Sequence, residues 1–279
     1  MTNPNQPPED EYRLAAGKPG SAPEAVRPIM VPEESPAHAE PRILGMPEWV
    51  FYLLAGLALS PVFTLTPYLR IVGWVLSAVV HEAGHTLFAW SVGCPALPAL
   101  SLQGHGAATI HYTQSRVFCF MVWAALGWLA WYVFRNTPDK RLRTLMVVLM
   151  IAYPFLAFNT TFRQMGHLLS GHLGELLVAG IFLWRARTGL FTDNELERLL
   201  YACVGWYLVF SNAFLCFGIA FVPAIRSWYF SHGSYGLTND YVRAAKIVLH
   251  VNIRWIVLPM MLVAIGTGPL AIWLGRGQD

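Results

Sequence analysis

From residue 255 to residue 274 the chain runs without one charged side chain, which at the helical rise is enough to cross the hydrocarbon core of a bilayer. Comparable apolar runs recur at about residues 68–92, 117–134, 165–184 and 196–222, and shorter ones at 49–65 and 145–158. Inside lipid a backbone has to satisfy its own hydrogen bonds, so runs of this length specify helices. The expected fold is an all-α polytopic membrane protein with six to seven transmembrane helices. Its composition excludes a soluble domain of this size, at 55% hydrophobic, 13% charged and a mean hydropathy of +0.45. The run at 49–65 carries Pro61 and stops at Pro67, so it either crosses or is partly re-entrant.

The net charge of +3 resides in the loops between runs, where it orients helices, and no nucleic-acid partner is expected. The densest basic cluster, Arg135, Lys140, Arg141 and Arg143 around Asp139, is expected on the cytoplasmic side. Residues 1–45 hold nine prolines among small and acidic residues and read as a disordered tail without a cleavable signal, leaving 46–279 as the membrane-embedded domain. Cys94, Cys119, Cys203 and Cys216 lack paired or metal-site spacing and read as packing thiols. Thr192-Asp193-Asn194-Glu195 has capping-box spacing ahead of the run at 196–222.

Within the second run lies His81-Glu82-Ala83-Gly84-His85. Ionisable groups in a membrane span are costly unless they have a task. On a helix His81 and His85 share one face, so two imidazoles can converge on a single metal ion. Glu82 projects about a quarter-turn away, where it can act on water as a general base without ligating. The pattern points to metal-assisted hydrolysis with zinc as cofactor.

A hydrolytic zinc site wants a third protein ligand. Among the acids, only Glu82 and Glu175 fall deep inside the apolar runs, and Gly166-His167-Leu168-Leu169-Ser170-Gly171-His172-Leu173-Gly174-Glu175 concentrates the remaining candidates. His172 and Glu175, three apart, share a helical face, whereas His167 points elsewhere. The expected ligand is His172, with Glu175 either replacing it or fixing an imidazole tautomer from behind. The glycines at 166, 171 and 174 would let this helix approach a neighbour closely. His250 reads as interfacial, and His105 and His111 as solvated. The latter two belong to residues 93–115, where short alternating segments around a glycine pair read as a β-hairpin with an edge on which an extended peptide could add a strand.

The motif in an apolar helix, followed by Gly93 and a glycine-containing hairpin over 100–112, resembles the catalytic start of the site-2-protease class of intramembrane zinc metallopeptidases. That resemblance covers about residues 70–115. It implies that His81 and His85 hold zinc, that Glu82 activates water, and that the substrates are transmembrane proteins or peptides, in a multi-pass protein of the bacterial cytoplasmic membrane. The family's third ligand is an aspartate in an Asn-x-x-Pro…Asp-Gly pattern. Here Asn159 is present without a following Asp-Gly, and residues 171–175 stand where that motif is expected. A lipid or amphiphile hydrolase, and a non-catalytic assembly or transport component, are the other readings of the same residues.

Overall fold

A computed structural model describes residues 42–101, 106–192, 194–231 and 239–277, so the expected tail, apart from its last few residues, and His105 lie outside the described residues. A short hairpin, β1 (Arg42–Ile43) with β2 (Met46–Pro47), leads into α1 (Glu48–Leu59), α2 (Val62–Leu65) and the motif helix α3 (Pro67–Ser91). Next comes an antiparallel hairpin of β3 (Ala96–Ser101) and β4 (Gly106–His111), in which Ala96 faces His111 and Ser101 faces Gly106. The helices α4 (Arg116–Asn136), α5 (Lys140–Phe158), α6 (Thr160–Thr188) and α7 (Glu195–Phe221) follow. The chain then takes α8 (Pro223–Ser231), the single turn α9 (Asp240–Arg243) running into a π-helical turn at Ala244–Val248, and α10 (Arg254–Leu274). Among the described residues seven segments are long and apolar enough to cross a membrane, with α1 and α2 counted as one. The protein is therefore all-α and polytopic, with a small β-hairpin behind the motif helix.

Side-chain caps fix where the long helices begin. Ser115, Asp139 and Asn159 accept from Phe118, Arg141 and Phe162 backbone N–H groups and open α4, α5 and α6. At α7 the cap is Asn194, which accepts from the Glu197 N–H at 2.8 Å, rather than Thr192, as the capping-box spacing suggested. The strand β3 also starts earlier than the alternation around Gly104 and Gly106 indicates, because Pro98 is tolerated in a two-stranded ribbon that has a free edge.

The core forms where α6 packs against α3, α7 and α10, while α4 and α5 present most of their large apolar residues outward, Trp128, Trp131 and Phe155 among them. The α3–α6 contact is antiparallel: Ser77 meets Glu175, Gly84 lies against Ser170 and Gly171, and Phe88 lies against Gly166. Glycine is required there. A Cβ on Gly84 would lie 2.3 Å from the Ser170 carbonyl oxygen, and one on Gly174 would lie 2.9 Å from Gly84 Cα.

This crossing orders the ends of the bundle. The end of α3, the β3–β4 hairpin and the start of α6 share one end, where Gln114 reaches both Val92 and Ala157 carbonyls. Glu48 pairs with Arg198, at the start of α7, and so belongs to the opposite end. The start of α3, about 15 Å before Ser77 by helical rise, also points toward that opposite end. The α1–α2 segment thus leaves and returns to the same end, broken at Ser60 and Pro61, and Phe63 and Gly73 both rest on the Tyr207 ring. A cysteine at Asn136, in the basic loop, is expected to stay unlabelled by an impermeant external reagent in intact cells; rapid labelling would invert the topology.

Candidate metal centre

His81 and His85 lie one turn apart on α3, and both turn their Nε2 atoms toward the carboxylate of Asp240 in α9. His85 Nε2 is 3.0 Å from His81 Nε2 and 3.1 Å from Asp240 Oδ2, and His81 Nε2 is 3.3 Å from the same oxygen. Donors bound tetrahedrally to one zinc at roughly 2.0–2.1 Å stand about 3.3 Å from each other. The three atoms therefore have the spacing of one face of a zinc tetrahedron.

Proton placement supports that reading. The His85 Nδ1–H donates to the His167 backbone carbonyl at 2.7 Å, and because a carbonyl can only accept, the proton sits on Nδ1 and the Nε2 lone pair of the neutral ring is free. His81 turns Nδ1 toward Glu175 Oε1 at 3.6 Å, which favours the same tautomer. Two imidazole nitrogens and a carboxylate oxygen thus face one another in a partly buried space. A shared proton can bridge one pair of them, but a metal ion settles all three.

Gly171 keeps the neighbouring space open. A Cβ at that position would lie 2.5 Å from His81 Nε2 and 2.6 Å from His85 Nε2, so the α6 backbone forms a wall that any side chain would fill. The residues present fit a resident divalent ion, with His81, His85 and Asp240 as the holders.

Asp240 is pinned through its neighbours. Tyr241 is fully buried, stacks on the His172 ring at 4.3 Å and 11°, and places its hydroxyl 3.6 Å from Cys216 Sγ. Asn239 donates to the Tyr229 carbonyl at 2.7 Å. The turn bearing Asp240 is thereby held against α6, α7 and α8.

His172, the expected third ligand, is placed beside the His81–His85–Asp240 trio, next to His81 and Glu175. Its Nδ1 bonds to Asn212 Oδ1 at 2.9 Å and its ring is sandwiched between Tyr241 and the edge of His81. His81, His172 and Glu175 also cluster closely enough to be weighed as a metal site. Their chemistry argues against it, because Glu175 already accepts from Ser77 Oγ and Asn212 Nδ2, each at 2.6 Å, and faces the protonated nitrogen of His81. Glu175 Oε1 faces His81 Nδ1 at 3.6 Å. His167 contributes its carbonyl to His85, with the two rings 4.9 Å apart. Replacing Glu175 with Gln is expected to weaken metal binding by roughly ten- to hundredfold, read as metal content after dialysis against graded chelator; an unchanged content would remove Glu175 from the site.

Glu82 is buried at 5% exposure, and its Oε2 accepts from Thr109 Oγ1 of β4 at 2.6 Å. One carboxylate oxygen is thus tied to the hairpin, and β4 is fastened over the motif helix. Sequence reasoning found His81, Glu82, His85 and Glu175 but missed Asp240, Thr109, Ser77 and Asn212. The one available signal for Asp240 was its position, an acid directly before Tyr-Val in the polar connection between the last two apolar runs. No family model, no curated protein and no solved structure matches the chain.

Proposed function

We propose that the protein is a zinc-dependent intramembrane endopeptidase of a bacterial cytoplasmic membrane, hydrolysing peptide bonds of transmembrane proteins or peptides. The observation that carries this is the convergence of His81 Nε2, His85 Nε2 and Asp240 Oδ2 within 3.0–3.3 Å beside a buried Glu82. Zinc held by these three would act as a Lewis acid, polarising a scissile carbonyl and making water easier to deprotonate. Glu82 takes the proton from the attacking water and returns it to the departing amine. Thr109 holds Glu82 Oε2, leaving the other carboxylate oxygen to carry that proton. His167 and Glu175 keep the two imidazoles in the tautomer that leaves Nε2 unprotonated.

The hairpin favours peptides over other amphiphiles. Strands β3 and β4 form a two-stranded sheet, so among the described residues each has one unpaired edge. Thr109 places β4 directly at Glu82, where an unwound substrate segment could pair with it as an added strand. The test is to purify membranes from cells expressing the wild type or Glu82→Gln and to sequence peptide termini by mass spectrometry. New termini inside apolar spans that depend on the intact Glu82 are expected. Wild-type-dependent hydrolysis of lipids with no new peptide termini would favour the amphiphile hydrolase instead.

A further inference from the structure

Beside the metal centre lies a cavity of about 320 Å³, between the end of α3, the first turns of α6 and the π-helical turn after α9. Its polar wall consists of Arg163, Gln164, His167 and Arg243, with Cys94 at the edge, and its apolar wall includes Val92 and Leu168. Among the described residues neither arginine has a carboxylate partner. Arg163 is oriented by neutral acceptors alone, the Gln114 side-chain oxygen and the Ala157 carbonyl. Two arginines thus line one partly apolar cavity, neither in an ion pair with a carboxylate among the described residues, an arrangement that an anion would stabilise.

The cavity is joined to the metal centre at two points. His167 lines it and holds His85 through its carbonyl, and Arg243 follows Asp240 by one helical turn, about 5 Å along the axis. Its volume lies at the small end for ligand pockets, which suits one or two residues of a peptide better than a two-chain lipid. We infer that Arg163 and Arg243 form a subsite for the free α-carboxylate of a peptide substrate, so that the enzyme acts within a few residues of a membrane peptide's C-terminus. The inference rests on His81, Glu82, His85 and Asp240 being the catalytic centre. A guanidinium reads a carboxylate through a paired donor fork, and the apolar wall receives the side chain next to it.

Cys94 provides a direct readout, since it lines the cavity while Cys119, Cys203 and Cys216 are buried. The rate of N-ethylmaleimide labelling at Cys94 would be followed by mass spectrometry in micelles, with N-dodecanoyl-leucine, its C-terminal amide or dodecyl phosphate as probe. The free acid is expected to slow labelling about tenfold and the amide hardly at all. Protection should vanish in Arg243→Gln and partly return in Arg243→Lys, and Arg243→Gln breaks no side-chain bond among the described residues. Equal effects of acid and amide, no protection, or protection unchanged in Arg243→Gln would overturn the subsite. Protection by dodecyl phosphate without protection by the acid would overturn it in favour of a lipid phosphate. Because labelling requires neither metal nor turnover, zinc content measured on the same samples separates a failed subsite from a failed catalytic centre.

Discussion

Asp240→Ala is expected to strip the protein of zinc. Apparent zinc binding energies of roughly 10–16 kcal/mol, spread over four ligands, give about 2.5–4 kcal/mol for each, so affinity should fall by about two to three orders of magnitude. That exceeds the roughly ten- to hundredfold effect of removing a residue that only orients a ligand. His172→Ala is the matched control, because His172 bonds to Asn212 and stacks on Tyr241 behind the site. After identical dialysis His172→Ala should keep most of its metal. The opposite ranking of the two variants would return the third ligand to α6.

Glu82→Gln is expected to keep both fold and zinc while lowering peptide cleavage by about 10²–10⁴-fold. The amide fills the same buried space, and its oxygen can still accept from Thr109 Oγ1, but it cannot carry a proton at neutral pH. Retained metal distinguishes this loss from that of Asp240→Ala. Cleavage at near wild-type rate in Glu82→Gln would exclude general-base hydrolysis by this centre.

The apolar runs made the helices legible because lipid leaves an uncharged stretch of that length no other structure. The motif was legible because its two histidines share one helix, so sequence spacing translates directly into distance. Asp240 was not, for the opposite reason: it reaches the histidines from 155 positions away, carried on a single turn outside the spans. A search confined to acids deep in apolar runs discards such a residue. His172 was expected as the third ligand from helical facing alone, which brings a residue near the site without saying which of its atoms face it. It comes within 4.6 Å of His81, ring to ring, with its Nδ1 on Asn212 Oδ1. The course of the α1–α2 segment was legible in part, since Pro61 allowed either a crossing or a re-entrant path and only the contacts of Glu48 and Phe63 show where the chain goes afterwards.

The pairing of Thr109 with Glu82 gives the hairpin a purpose beyond covering the site. On the proposed function, the hydroxyl that holds Glu82 also fastens a strand with an edge unpaired among the described residues, so substrate alignment and water activation would be set by one contact.

The central claim is that two imidazoles and one carboxylate hold the ion, and zinc K-edge X-ray absorption on the purified wild type tests it most directly. Nitrogen and oxygen neighbours at about 2.0–2.1 Å are expected, with outer-shell scattering from two imidazole rings. Scattering from three imidazoles would contradict the assignment of Asp240.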